Sequence, residues 1–304
     1  MEYKISDLAK RFKLSFKGDD VVIKHLGLCN RNNLSSCTLS YVANPDFLET
    51  AIKNTKVDAI LVSPDIYNQV DACPKTLLLA DYPEDSFYEI FNFIQYESSA
   101  YLNKPIIGSN CKIHPTAIIE DGVILGDNVE VGAFTIIHSK TQIGDNTIIG
   151  SHCAIGSNGF QALKKHNGKS YNVSHMGGVE IGRDCYIAEF VNISRALFDS
   201  KVYIGNSVLI DVGCHIAHDC RIEDNSVLTA NTKMFGSSSI GRDVWMSPGS
   251  MIMNKIHIAD KCHVAPGAFV INDTLQGESY MGNPAIKKSN FIKREIKLKK
   301  LLNK

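Results

Sequence analysis

The sequence predicts a mainly β chain: a parallel β-helix of six-residue repeats, preceded by an α/β domain and followed by a short helix. Three observations predict it. An aliphatic residue recurs at every sixth position through most of residues 101–283. The first hundred residues lack that period and alternate helix-like with strand-like segments. Residues 284–304 are basic, with a loose apolar stripe.

In residues 1–100, "SDLAKRF" reads as a helix opened by a Ser-Asp cap. "DAILVS" and "TLLLAD" read as buried strands, and "PEDSFYEIFNFIQYES" as a helix with Pro and acids in its first turn. The repeat then runs from Ile113 through Ile119, Leu125, Val131, Ile137, Ile143 and Ile149 to Ile155. Glycine often follows the aliphatic residue, and the fifth position is small or β-branched, as at Val123, Thr135 and Cys153. The phase breaks at Ser157–Gly178, a polar insertion rich in Gly and Lys, and resumes at Ile181, Ile187 and Ile193. One residue is lost around "RALFDSKVY", and the repeat continues from Ile204 to Val270. Six residues make one short strand and a turn. Three such units close a triangular coil, and stacked coils pair in parallel at about 4.8 Å. The aliphatic residue points inward, and glycine suits the tight corner. In 284–304, Phe291, Ile292, Ile296, Leu298, Leu301 and Leu302 form the stripe. Lys287, Lys288, Lys293, Arg294, Lys297, Lys299 and Lys300 stand against the single acid Glu295. That charge suits an acidic protein partner or a membrane surface.

The totals narrow the function. Thirty-two basic residues balance 32 acidic ones, so no global field favours nucleic acid. Nine scattered cysteines without a CxxC pair read as reduced core thiols, hence a cytoplasmic protein. "MEYKISDLAKRF" has no apolar signal core, and no run has the length of a membrane span.

"IDVGCHIAHDC", Ile210–Cys220, carries the chemistry. Ile210 and Ile216 point inward, so His215 and His218 point outward. A lone outward histidine is usually a solvated one. Asp211 and Asp219 lie near enough in sequence to orient an imidazole and stabilise its cation. One coil above His218 stands Gly236, whose N–H is accessible beside a general base. Asn254 extends the same column. No thiolate or further histidine follows at a ligand spacing, so no metal site is expected. There is no GxSxG, and Ser194 has no evident partner. "GSNG" is a loop turn that opens no helix.

In order along the prism, "IGSNGF", "GGVEIG", "NISRALFDSKVYIGNSVLID", "HIAHD" and "MFGSSSIG" resemble the UDP-3-O-(3-hydroxyacyl)glucosamine N-acyltransferases of lipid A synthesis. "LSYVANPDF" resembles that family's uracil-binding segment. The likeness covers nearly all of residues 3–285. It implies a left-handed prism, a homotrimer, and a nucleotide-linked aminosugar as acceptor. Acyl carrier protein or acyl-CoA is the implied donor, with no bound cofactor. It makes His218 the general base and Gly236 the oxyanion contact. It places the base between Tyr41 and Phe47, with Asn44 reading its edge. The chain departs from the pattern at Asp219 (family Asn), Ser194 (family Asp), Lys255 (a second family histidine) and His175 (family Gln). His175 is either a displaced substitute for that second histidine, contacting substrate, or, by the default for a loop residue, solvated. The ending "YMGNPAIK" is nearer the CoA-dependent sugar acetyltransferases, whose substrates are other nucleotide-linked amino-deoxysugars.

Overall fold

The computed structural model describes residues 2–31, 34–69, 73–99, 102–282 and 288–302. In the N-terminal part, five strands run side by side in the order Ser15–Lys17, Thr76–Leu79, Val57–Val62, Thr38–Val42, His25–Leu26. The first pair is antiparallel and the rest are parallel. The two segments read as buried strands occupy interior positions. Helices Ile5–Phe12 and Pro83–Ser99 bury Leu8, Phe87, Ile90 and Phe91. The second begins at Pro83 with Glu84 and Asp85 in its first turn, as its sequence requires. The first does not use the cap expected of it. It starts at Ile5, one residue before Ser6, with no side-chain cap. Asp20 supplies the acceptor instead, taking the Ser6 N–H and hydroxyl at 2.8 Å each.

From Ile106 to Tyr280 the chain winds through three parallel sheets of eight, nine and eight strands. We call these the first, second and third faces; they begin with Ile106–Ile107, Lys112–Ile113 and Ile118–Ile119. The periodic aliphatic residues line the axis; Ile137, Ile155, Ile193 and Ile216 are wholly buried. Each such side chain contributes about 1.5–3 kcal/mol. Five cysteines share that interior, and all nine thiols are free.

The corners between faces need left-handed backbone, which Asn and Asp tolerate better than most residues. At the corner between first and second faces, Asn128, Asn146 and Asp184 have φ of 57°, 58° and 58°. Their side chains form a ladder, Asn128 donating to Asn146 and Asn146 to Asp184, each at 3.0 Å. Asp145 and Asp260 each accept a corner N–H from the coil before, at 2.8 Å.

The edge joining third face to first is different. Coils elsewhere repeat in steps of 18 residues. Here Ile143 pairs with Ile181, a step of 38, and Ile181 with Ile204, a step of 23. Both insertions enlarge this one edge. The second phase break is therefore five residues gained around Arg195–Ser200, where the sequence pattern read as one residue lost. A hexamer count sees only the remainder, whereas the strand pairing shows the whole coil.

The N-terminal part packs on these insertions. Val173 and Met176 of the first, and Leu197 and Phe198 of the second, share one apolar cluster with Leu8, Ile23, Phe87 and Phe91. Within the polar insertion the chain folds as a hairpin, Ala162–Lys164 against Ser170–Asn172. Polar contacts pin it to helix Pro83–Ser99. His166 Nδ1 lies 2.7 Å from Asp85, and its ring stacks on Tyr82 at 3.8 Å. Far along the chain, Lys288–Leu302 is helical, with Ile292, Ile296, Leu298, Leu301 and Leu302 exposed. Lys287 lies outside the described residues, as does the side chain of Phe291.

Candidate active site

The enlarged edge carries the chemistry-bearing residues. His218 stands at its corner, in the turn between His215–Ile216 and Arg221–Ile222. Its side chain is 15 % exposed. The imidazole Nδ1 lies 3.0 Å from Asp219 Oδ2, which leaves Nε2 for a substrate. Gly236 occupies the same corner one coil on. A Cβ there would sit 2.6 Å from both Cε1 and Nε2 of His218, so the absent side chain is what gives the ring its place. The cleft beside them holds about 530 Å³ and is lined by Ser157–Phe160, Asn192, Ser194, His215, Ala217, His218, Phe235, Gly236 and Asn254.

Asp219 is held from several sides. Its Oδ2 faces both terminal nitrogens of Arg31 at 3.3 Å. Its Oδ1 accepts the Leu197 N–H at 3.3 Å and the Ser200 hydroxyl at 3.5 Å. Burial opposes the carboxylate's charge. The His218 hydrogen bond, the Arg31 charge and the Leu197 N–H outweigh it, and the carboxyl lies below its ordinary range.

His175 corrects an expectation. It is wholly buried, not solvated. Its ring meets that of His218 edge-on at 5.2 Å. Its Nδ1 bonds the Val173 carbonyl at 3.1 Å, while its buried Nε2 has no partner. Gly159 leaves the room, because a Cβ at that position would lie 2.4 Å from Nε2. Burial, then the neighbouring His218, push its pKa down to about 4. His215 lines the same cleft although it belongs to the preceding strand. Burial, then Lys233, lower its pKa.

Two expected neighbours are elsewhere. Asp211 does not orient His218; its carboxylate accepts the N–H groups of Val212 at 2.7 Å and Ala230 at 3.1 Å, on another edge. Lys255 is exposed, and its backbone N–H bonds the Gly236 carbonyl at 3.1 Å. Its side chain is not among those lining the cleft. Ser194, which the sequence left without a partner, donates to Asn192 at 3.4 Å. Arg31 was missed. It is 188 residues from Asp219, and no local pattern marks it. Among the described residues, no three His, Cys, Asp or Glu side chains converge as a metal-holding group.

Tyr41, Asn44 and Phe47 do come together. With Leu28, Cys29, Asn30 and Glu84 they line a cavity of about 190 Å³ on the N-terminal part. The Tyr41 hydroxyl donates to Glu84 at 2.6 Å. Burial and that acid raise its pKa. Asn44 caps the turn at Asp46 through its carbonyl oxygen at 3.0 Å. The Phe47 ring is 42 % exposed.

A bacterial transferase hexapeptide model (six repeats) matches residues 104–139, 125–157 and 201–236. The chain is 32% identical to a UDP-3-O-acylglucosamine N-acyltransferase of Campylobacter lari, covering 97% of both chains. It belongs to the UDP-3-O-acylglucosamine N-acyltransferase family. It is therefore an acyltransferase of the hexapeptide-repeat kind. An acyl-[acyl-carrier-protein]–UDP-N-acetylglucosamine O-acyltransferase of Sinorhizobium fredii is 29% identical over 60% of this chain and 72% of its own. Among solved structures, the UDP-N-acetylglucosamine acyltransferase from Campylobacter jejuni superposes with a TM-score of 0.52 at 22% identity. That match covers 66% of this chain and 81% of the other. The left-handed parallel β-helix is thereby borne out. Among the described residues, no helix is long and apolar enough to cross a membrane.

Proposed function

We propose that the chain moves an acyl group from an acyl carrier protein thioester to the amine of a UDP-3-O-acylglucosamine, a step of lipid A assembly. The observation that carries this reading is the pairing of His218 Nε2 with Gly236 on one wall of the cleft. The sugar amine attacks the thioester carbonyl while His218 Nε2 takes its proton, worth roughly 10²–10⁴ in rate. The Gly236 N–H faces the oxygen that becomes negative, worth about 10²–10³. The tetrahedral adduct collapses with loss of the thiolate. The imidazolium returns the proton to that sulfur, leaving an amide and a free thiol. Asp219 holds Nδ1 and steadies the imidazolium.

The other parts have matching roles. Tyr41 and Phe47 stack the uracil and Asn44 reads its edge. His215, Asn254 and the first insertion contact sugar and acyl groups, with Asp211 and Lys255 at most peripheral. Helix Lys288–Leu302 takes the acidic carrier, and no metal enters the reaction. The working domains are 1–100 for the nucleotide, 101–283 for acyl transfer and 284–304 for the carrier. The active form is a homotrimer in the cytoplasm. Outward Ile148, Tyr186, Leu209 and Trp245, each 38–48 % exposed along the second face, support the assembly.

The test is a rate assay with matched circular dichroism. His218→Ala is expected to abolish transfer with UDP binding retained, and His215→Ala to lose much less. Near-normal turnover in His218→Ala, or inactivation of the wild type by a chelator, overturns the mechanism.

A further inference from the structure

Asp219 raises a question that the reaction alone does not answer. The resembled family carries a neutral Asn after its histidine, and this chain has placed a buried carboxylate against the base. A carboxylate 3.0 Å from an imidazole favours the imidazolium and so weakens the base at a given pH. Burying the charge is costly unless it is paired. The pairing comes from outside the prism. Arg31 leaves the turn that follows Leu28, Cys29 and Asn30 in the wall of the N-terminal cavity. Its N–H closes that turn on the Leu28 carbonyl at 3.0 Å. Its guanidinium lies over the Phe198 ring at 4.8 Å and meets Asp219 Oδ2, the oxygen that also holds His218.

We infer that Arg31 is a positioning residue of the reaction: it balances the Asp219 charge, so that His218 is held by a carboxylate without being forced into its protonated form. The inference rests on His218 being the base. Other titratable and charged groups come from the elements packed along this edge. His175 comes from the first insertion, and its unpaired Nε2 is neutral over the working range. His215 lies on the strand entering the corner. Arg195 of the second insertion is tied to the Gly156 carbonyl at 2.6 Å. Asp199 is paired with His25 at 3.3 Å, and Lys140 with the Met176 carbonyl at 2.8 Å. Of these cations, Arg31 is the one bound to the carboxylate that touches His218.

The experiment reads the acid limb of the kcat/KM profile in Arg31→Gln, Arg31→Lys, Asp219→Asn and the double variant Arg31→Gln/Asp219→Asn. Loss of the Arg31 charge leaves Asp219 acting alone, and the limb moves up by about one pH unit. Arg31→Lys brings it back. Asp219→Asn moves it down, because the imidazolium loses its carboxylate. The double variant returns close to the wild type. It buries no unpaired charge, so it folds even where Arg31→Gln does not. An unmoved limb in Arg31→Gln, or a double variant indistinguishable from Asp219→Asn, overturns the inference and leaves His218 as the base. An active His218→Ala overturns both.

Discussion

Gly236 shows how one missing methyl group sets a site. Its φ is not in the left-handed region, so alanine suits the backbone there; what it does not suit is the imidazole 2.6 Å from its Cβ. Gly236→Ala is therefore expected to keep the fold, with the same melting temperature, and to lose roughly 10²-fold or more in kcat as His218 is displaced from the oxyanion contact. A variant with wild-type kcat removes Gly236 from the mechanism. His175 makes a second residue-scale prediction, about stability. Its folded pKa of about 4 lies below the ordinary 6.5. Between those values the unfolded chain binds more protons than the folded one, so stability falls as pH drops through that window and levels off below it. The loss is at most about 3 kcal/mol. His175→Gln, the residue of the resembled family, is expected to flatten the melting temperature between pH 7 and 4. An equally steep curve in that variant assigns the acid sensitivity to other groups. The sequence showed that His218 and Gly236 share a column because both lie on the 18-residue period. It could not show that His175 is buried beside them, since its position depends on the shape of an insertion that has no period.

Among the elements, the repeat was the most legible, because each inward aliphatic residue is specified by the same steric demand as its neighbours in the stack. Insertions were the least legible. Around Arg195–Ser200 the added length is one short of a full hexad, so the pattern looked like a deletion. The first helix shows the same limit: Ser6 and Asp7 read as a cap, but the acceptor that caps Ser6 is Asp20, fourteen residues away. Helix Lys288–Leu302 was legible as a basic segment, and its role is testable as an element. Changing Lys293, Arg294 and Lys297 to Glu is expected to slow turnover with acyl carrier protein severalfold and to change its salt dependence, with little effect on acyl-CoA. If the wild type works faster with acyl-CoA and the triple change does nothing, the helix does not receive the carrier.

For the whole molecule, the proposed trimer is tested on the second face. An apolar column there is costly to leave in water, and light scattering is expected to give the mass of three chains. A single-chain mass overturns the trimer, and a trimer that survives Tyr186→Glu with Trp245→Glu unchanged in stability places the interface elsewhere. The molecule's other large apolar contact lies within one chain. Val173, Met176, Leu197 and Phe198 belong to the prism by sequence, yet they complete the core of the N-terminal part. This has a consequence for recombination between relatives. A chimaera cut at the boundary near residue 100 would join a foreign N-terminal part to insertions shaped for another partner, and would lose the Arg31 contact as well. The unit inherited intact is discontinuous: the first hundred residues, both insertions and the corner that carries Asp219, while coils outside those contacts are free to exchange.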